Sequence, residues 1–286
     1  MSKNILINQT NVVSGTKNSQ YVYKFITPEN ISNSSIALHS LQMYYSWFNV
    51  NANLYNNNQL QYIWWDDQGV LNQTFTITIP DGFYTDTTLN LFIQSQMVKN
   101  GHYLYDSTAK TNVYFFQLVS NPTYYAFQIY ITPMYPRASV PIRFTRGSTT
   151  WNYPIAQETP RLIINSSNNF KDLIGFNAGT YPPTTQSVLY NILSQNTPAI
   201  SPVSSVVIRC NMVKNDLANP NDVLYSFTSG TKSFGDILDE RPSNLFFNSV
   251  QDGTYNEIRL TFTDQNFQPI EIKDSQLLIT LVIKPN

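Results

Sequence analysis

Apolar and polar residues alternate with a period of two through most of this chain, and that pattern constrains its fold more than any other feature. Residues 74–79, "TFTITI", show it most clearly. Phe75, Ile77 and Ile79 share one face, and threonines occupy the other. Side chains of a β-strand point alternately to opposite faces, so such segments predict half-buried strands. About ten of them occur without regular intervening helices, and the fold is therefore expected to be all-β.

Two segments refine this expectation. Residues 276–283, "QLLITLVI", form a near-continuous apolar run, which is typical of a strand buried on both faces in the centre of a sheet. In residues 35–50, "SIALHSLQMYYSWFNV", the period of two slips, which predicts a bulge or bend near Ser40. A jelly-roll sandwich has such a central final strand, but periodicity alone leaves other Greek-key sandwiches open.

Residues 79–101, "IPDGFYTDTTLNLFIQSQMVKNG", break the strand pattern and predict an isolated helix that ends at the closing Asn-Gly pair. Thr85 is a suitable N-cap, and Tyr84 and Leu89 form a predicted hydrophobic staple. Asp86 in the first turn suits the helix dipole and disfavours a bound anion. The predicted apolar stripe consists of Leu89, Phe92, Ile93 and Met97. We therefore interpret this helix as a structural brace.

The remaining segments are expected to be less regular. Residues 1–19 are mostly polar and are predicted to form an N-terminal arm. Residues 168–176, "NNFKDLIGF", predict a second short helix with Asn168 as a candidate N-cap. Residues 132–160 and 177–203 are rich in Pro, Thr and Ser and predict long loops.

Composition limits the function classes. Charged residues make up only 12% of the 286 residues, about half of the usual share, and the net charge is −1. Strong binding to nucleic acid or to an anionic membrane is therefore not expected. We find no apolar secretory segment behind the first residue and no run long enough to span a bilayer, so a soluble protein of intracellular origin is expected.

The residues that usually carry chemistry are sparse. His39 and His102 lie too far apart in the sequence for a spaced metal motif, and Cys210 sits in an apolar strand pattern, as a buried hydrophobic residue does. Asp236, Asp239 and Glu240 are predicted to cap a helical turn rather than to bind Ca²⁺. The sequence therefore predicts no catalytic residue, no cofactor and no metal site.

One acidic and aromatic cluster keeps an alternative open. Asp66 and Asp67 follow Trp64 and Trp65, and carboxylates beside tryptophans resemble carbohydrate sites. The structural interpretation is a strand end with one Trp inside and the Asp pair solvated in a turn. A glycan- or receptor-binding β-sandwich that uses Trp64, Trp65 and Asp66 is the main alternative function. A glycoside hydrolase with an acidic pair formed by folding is a more distant one.

Five motifs resemble, in their order, the penton (minor capsid) proteins of virophages and related polinton-type double-stranded DNA viruses. The motifs are "IALHSLQMYYSWFNV", "IPDGFYTDTTLNLFIQSQM", "NNFKDLIGF", "VLYSF" and "TDQNFQPIEIKDSQLLITLVIKP". The resemblance covers residues 34–100 and 168–286.

This resemblance implies a single jelly roll over residues 1–286, and an inserted outer subdomain somewhere within residues 80–200. It implies a homopentamer at the five-fold vertices of an icosahedral virion, assembled inside the host cell and packed against capsomers of a major capsid protein. It implies no enzymatic residue and no cofactor. A weakly charged, Tyr-rich surface agrees with the lateral contacts of such a capsomer.

Overall fold

The computed structural model describes residues 2–286, which form two compact units. The first unit combines residues 2–47 with Val203–Asn286, and the second unit is Phe48–Pro202. The strands of the first unit are β1 (Lys3–Asn8), β2 (Gln20–Ile31), β3 (Ser34–Tyr44), β14 (Val206–Cys210), β15 (Val223–Phe227), β16 (Ile237–Glu240), β17 (Asn248–Ser249), β18 (Gly253–Thr263) and β19 (Leu277–Pro285).

The second unit contains ten strands and two helices among its described residues. The strands are β4 (Gln59–Trp65), β5 (Leu71–Thr78), β6 (Leu104–Asp106), β7 (Thr111–Val113), β8 (Phe116–Asn121), β9 (Ala126–Ile131), β10 (Phe144–Arg146), β11 (Arg161–Ile164), β12 (Gly179–Tyr181) and β13 (Tyr190–Leu193). The helices are α1 (Asp86–Lys99) and α2 (Phe170–Ile174). Two short 3₁₀ turns, Gln9–Asn11 in the first unit and Arg137–Ser139 in the second, complete the regular structure.

The first unit is a jelly roll. Its sheets have the strand orders β1-β19-β3-β16 and β15-β14-β18-β2, with the two-residue β17 also paired to β3. When β17 is set aside, the first strand along the chain pairs with the eighth, the second with the seventh, the third with the sixth and the fourth with the fifth. This nested antiparallel pairing defines a rolled-up double Greek key, so the predicted jelly roll is confirmed.

Strand β3 contains the predicted bulge. Thr280 of β19 pairs with Ser40, and the next residue of β19 pairs with Leu38, so His39 is an extra residue in the ladder. The extra residue restores the parity of the strand, because apolar side chains on both sides of it now face the core. The slip in the sequence pattern therefore marks a real change in register.

Strand β19 lies in the centre of its sheet, between β1 and β3, as predicted. The prediction that both faces of β19 are buried is wrong, however. Ile279 and Leu281 are fully buried, whereas Leu278 is 40% exposed on the opposite face. A central strand needs backbone partners on both sides, but its second face does not have to be covered, and apolar residues there remain at the surface.

The N-terminal segment is more ordered than an arm. Lys3–Asn8 forms β1 and pairs along its whole length with β19. Ile5 and Ile7 point into the core, while Leu6 between them is exposed. Three apolar residues in a polar segment are therefore enough to form an edge strand, because two of them lie on the face that is buried.

The second unit is built from three small antiparallel sheets. Their strand orders are β12-β11-β4-β5, β10-β6-β7 and β13-β9-β8. They enclose one connected apolar core in which the largest fully buried side chains are aromatic. Its largest members are Tyr62, Trp64, Trp65, Phe115, Trp151, Phe170 and Phe176. This unit includes the residues predicted as an inserted subdomain, and it begins earlier in the chain, before β4.

The caps of α1 are those predicted. Thr85 Oγ1 accepts a hydrogen bond from the Thr88 amide at 3.2 Å, and Thr88 Oγ1 accepts one from the Thr85 amide at 2.8 Å. The helix stops before Gly101, whose φ of +71° is in the left-handed region. The predicted stripe faces the core, although its Phe92 is only half-buried and packs on Tyr84 with 6.0 Å between ring centroids.

Helix α1 covers one edge of a sheet. β8 is an edge strand, and its Leu118 amide donates to Asn90 Oδ1 of the helix at 2.9 Å. One turn earlier on the helix and two residues later on the strand, the Ser120 hydroxyl donates to the Asp86 carboxylate. This hydrogen bond is the main reason that the pKa of Asp86 is lowered. The helix is thus a brace, and the carboxylate of Asp86 at its N-terminus is already hydrogen-bonded to Ser120.

A hairpin turn and a helix cap complete the local structure of the second unit. The hairpin of β8 and β9 turns at Asn121-Pro122, and Tyr124 and Tyr125 belong to this turn and not to β9. Both rings are exposed, and Tyr125 has a left-handed φ of 49°. In α2 the N-cap position is Asn169, although Asn168 Oδ1 does accept a hydrogen bond from the Phe170 amide at 3.0 Å.

Candidate functional surfaces

The two tryptophans considered for glycan binding lie inside the second unit. Trp64 and Trp65 end β4, and they are 0% and 1% exposed. The ladder between β4 and β5 skips Asn72, so a one-residue bulge lies in β5 beside the two tryptophans. Both indoles belong to the aromatic core of the unit. Strict alternation predicts only one of them inside, so this part of the sequence interpretation is corrected. Neither ring presents a face on which a sugar could stack.

Asp66 organises the turn that follows β4. Its Oδ1 accepts hydrogen bonds from the amides of Gln68 at 2.9 Å and Val70 at 2.8 Å. Its Oδ2 accepts one from Asn72 Nδ2 at 2.8 Å. The backbone hydrogen bond from Val70 is the largest of the causes that lower the pKa of Asp66. The carboxylate therefore holds an Asx-type turn, while Asp67 beside it is exposed.

His102 is a packing residue of the aromatic core. Its Nδ1 lies 2.7 Å from the Tyr62 hydroxyl, and its ring stacks on Trp64 with 4.9 Å between centroids. Asn100 Nδ2 donates to the same hydroxyl at 2.8 Å, so Tyr62 can donate its proton to a neutral imidazole. Burial lowers the pKa of His102 to about 4. The other histidine, His39, is exposed on the bulge of β3.

We expect acid to destabilise the second unit through His102. Its pKa is about 4 in the folded chain against 6.5 in the unfolded chain, so the unfolded chain binds the extra proton first. The free energy of unfolding should therefore fall by about 3 kcal/mol as the pH drops from about 6.5 to about 4. Urea unfolding followed by circular dichroism at several pH values measures this loss.

The matched variant for this experiment is His102→Gln, which retains a polar side chain and does not titrate. Over the same pH range its free energy of unfolding should fall by about 3 kcal/mol less than that of the wild type. Parallel pH profiles for the wild type and the variant would contradict the assignment, whatever their absolute stabilities.

The remaining candidates for chemistry have structural positions in the first unit. Cys210 is fully buried in β14, as predicted, and burial raises the pKa of its thiol to about 12. Asp236, Asp239 and Glu240 do not lie on a helical turn, because 237–240 form β16 and pair with β3. The side chains of this segment alternate as in a strand, with Leu238 on the buried face, and this alternation does not fit a helical turn.

Two kinds of functional feature are absent from the described residues. Within residues 2–286, no cluster of three or more His, Cys, Asp or Glu side chains is arranged to hold a metal ion. No helix in the same range has both the length and the hydropathy needed to cross a membrane.

The outer face of the first sheet of the jelly roll carries an uncharged groove of about 350 Å³. Asn8, Leu278 and Gln42 lie side by side across β1, β19 and β3. Ile237 on the neighbouring β16 is half-exposed. The groove is lined by Asn8, Gln9, Thr10, Gln42, Met43, Tyr44, Ile237, Gln276, Leu277 and Leu278. A neutral surface with exposed aliphatic side chains has the composition of a protein contact.

A second groove, of about 390 Å³, lies in the second unit beside the first turn of α1. Its apolar lining includes Phe83, Tyr84 and Ile200, and the hairpin turn contributes Tyr125. The one carboxylate in its lining belongs to Asp86, which already accepts the hydrogen bond from Ser120. The surface is therefore apolar in character, and sequence patterns gave no sign of it because its residues come from three separate segments.

Comparison with known protein families finds no match, and neither does comparison with curated protein sequences. Among solved structures, the chain is similar to the mavirus penton protein, with 11% sequence identity and a TM-score of 0.46, over 100% of this chain and 99% of that chain. It is also similar to a chain in the cryo-EM structure of the Sputnik virophage, with 12% identity and a TM-score of 0.39, over 99% of this chain and 96% of that chain.

Proposed function

We propose that this chain is a structural virion protein that forms the homopentameric penton capsomer at icosahedral five-fold vertices, packed against capsomers of a major capsid protein. In this proposal the jelly roll is the capsid-forming part, and the second unit is the inserted subdomain. The protein acts by assembly and not by catalysis.

The observation that carries the proposal is the nested strand pairing of the first unit. Eight strands in the orders β1-β19-β3-β16 and β15-β14-β18-β2 make a jelly roll, an architecture of viral capsid proteins and of lectins. The burial of Trp64 and Trp65 removes the aromatic platform on which a glycan-binding role rested. Capsid assembly is the use of this fold that the molecule supports best.

Surface chemistry supports the same proposal. A closed five-fold ring is heterologous, so each subunit must present two different contact surfaces. Only 12% of the residues are charged, and the groove on the outer face of the first sheet has no charged residue in its lining. Contacts of this kind avoid the cost of removing charges from water.

The motifs that resemble penton proteins coincide with elements of the structure. The first contains most of β3, the second contains α1 up to Met97, the third contains α2, the fourth is β15, and the last runs into β19. Their order along the chain therefore reflects the order of structural elements, which supports the resemblance stated for the sequence.

Molar mass and negative-stain images of the purified chain test the proposal. We expect a species of about 160 kDa, five times the 32.7 kDa chain, and rings with five-fold symmetry in the images. The measurements should cover a range of protein and salt concentrations. The molar mass should depend little on salt, because the proposed contacts are uncharged. A chain that remains monomeric throughout, or that forms rings of another symmetry, would contradict the proposal.

A further inference from the structure

Strand β5 is a long edge strand of the second unit. It has eight residues, Leu71–Thr78, and it lies at the end of the sheet β12-β11-β4-β5. One side of its backbone pairs with β4, and the other side has no neighbouring strand in the described chain. The backbone groups on that side form a free edge, a term we use for it below.

The residues that contribute to the free edge follow from the ladder. The Ile79 amide donates to the Asn58 carbonyl at 2.8 Å. Asn58 and Ile79 are therefore a hydrogen-bonded pair, at the open end of the hairpin formed by β4 and β5. Hydrogen-bonded and non-hydrogen-bonded pairs alternate in an antiparallel ladder. Thr74, Thr76 and Thr78 therefore point their N–H and C=O groups away from β4, to the free edge.

These groups have no backbone hydrogen-bond partner among the described residues. Thr74, Thr76 and Thr78 are all exposed, and no backbone hydrogen bond between 71–78 and any described residue outside β4 is present. The strand contains no charged residue and no proline, and its one bulge lies at Asn72, before the three threonines. Charged residues, prolines and bulges are the usual devices that stop an edge from pairing with another chain.

The other edges of the unit have such protection within Phe48–Pro202, all of which the structure describes. β12, at the opposite end of the same sheet, has three residues and is followed by Pro182-Pro183. β8 is the next longest edge, and Asn90 of helix α1 accepts its Leu118 amide. The remaining edge strands, β7, β10 and β13, have only three or four residues. β5 is thus the exception.

We propose that the free edge of β5 pairs with an extended backbone segment of a second copy of this chain. The inference rests on the homo-oligomer proposed above and assigns one of its contact surfaces. An exposed, regular edge is a template for another strand, and its N–H and C=O groups require an extended partner. A neutral edge also favours a neutral segment, and a chain with 12% charged residues supplies many of them.

The symmetry of the ring specifies what kind of segment this is. Pairing of β5 with β5 of another copy is isologous and closes at two chains. A five-membered ring is heterologous, so the segment that adds to β5 must be a different part of the neighbouring copy. The edge of one subunit thus receives a strand from the next, all the way around the ring.

The test uses the full chain with substitutions at Thr74. Thr74→Pro removes an edge-facing N–H and should weaken self-association by about 100-fold or more. Thr74→Lys leaves the backbone intact and places a charge on the edge strand, so it gives the same loss even if the proline variant folds poorly. Thr74→Val keeps the branched side-chain shape and the backbone, and should assemble like the wild type. Molar mass and ring formation are measured for all four proteins.

Amide hydrogen exchange gives a second, residue-level result. On assembly of the wild type, the amides of Thr74, Thr76 and Thr78 should become protected, while those of Phe75 and Ile77 are protected in every state by β4. In Thr74→Lys the amides of Thr76 and Thr78 should exchange rapidly at the same protein concentration.

The outcomes separate this inference from the pentamer. Rings that persist in both Thr74→Pro and Thr74→Lys, with no protection of the three threonine amides, overturn the edge pairing and leave the pentamer standing. A wild-type dimer that is lost in both variants supports edge pairing and overturns the pentamer. A monomeric wild type overturns both.

Discussion

Replacement of Trp64 by alanine should lower the free energy of unfolding of the second unit by about 3–5 kcal/mol, the range for a buried Trp. Its indole is fully buried and lies 4.8 Å from Trp65, 5.3 Å from Trp151 and 4.9 Å from His102, between ring centroids. Removal leaves a cavity that these rigid rings cannot fill without losing their own contacts. Since whole domains are stable by only about 5–15 kcal/mol, the loss is large.

Urea unfolding followed by far-ultraviolet circular dichroism measures this effect, because that signal does not depend on the deleted fluorophore. The matched control is Tyr124→Ala, which removes an exposed aromatic ring from the same unit and should change stability by less than about 0.5 kcal/mol. If Trp64→Ala left stability unchanged but abolished binding to a glycan array, the core assignment of this residue would be wrong.

In the jelly roll, Ile279→Ala should cost about 2–5 kcal/mol. Ile279 is fully buried in the central strand β19 and is paired with Leu41, which is also fully buried. A cavity at this point lies between two strands that both have neighbours on their other sides, so the sheet cannot collapse to fill it.

The alkylation rate of Cys210 measures the stability of the jelly roll in the wild type and in Ile279→Ala. The thiol is the only one in the sequence and is fully buried in β14 of the same unit, so its alkylation rate in urea follows the opening of the jelly roll. The matched control is Leu278→Ala on the same strand, whose side chain is 40% exposed on the outer face. It should cost about 1 kcal/mol or less. Equal losses for the two variants would contradict the assignment of the faces of β19.

Local patterns predicted local structure well. The caps of α1 and the bulge at His39 both follow from residues that are close in sequence. Each depends on an interaction within a few residues or on the parity of one strand, which a single sequence displays directly.

Strand partners are a different matter. β4 and β5 alternate in the same way as the strands of the jelly roll, yet they belong to the second unit. An alternation with a period of two indicates which face of a strand is buried, but it does not indicate which strand lies beside it. For the same reason the sequence did not reveal that β5 is an edge, or that the groove beside α1 exists.

The correction at Trp64 and Trp65 has a similar cause. The ladder beside them is interrupted by a one-residue bulge at Asn72 of the partner strand, and both indoles are buried. Neither the bulge in the other strand nor the burial of both rings can be inferred from the alternation of the residues around the tryptophans. Function follows the same division: the absence of spaced catalytic motifs can be read locally, whereas a contact surface made of several strands cannot.

The order of strands along the chain has a consequence for synthesis on the ribosome. β19 is central in its sheet, yet it follows every other strand of the jelly roll in the sequence. The sheet β1-β19-β3-β16 therefore lacks its middle member until translation has passed Leu277. The second unit is encoded entirely before that point and can fold while the chain is still being made. The jelly roll can therefore close only after its last strand has been made.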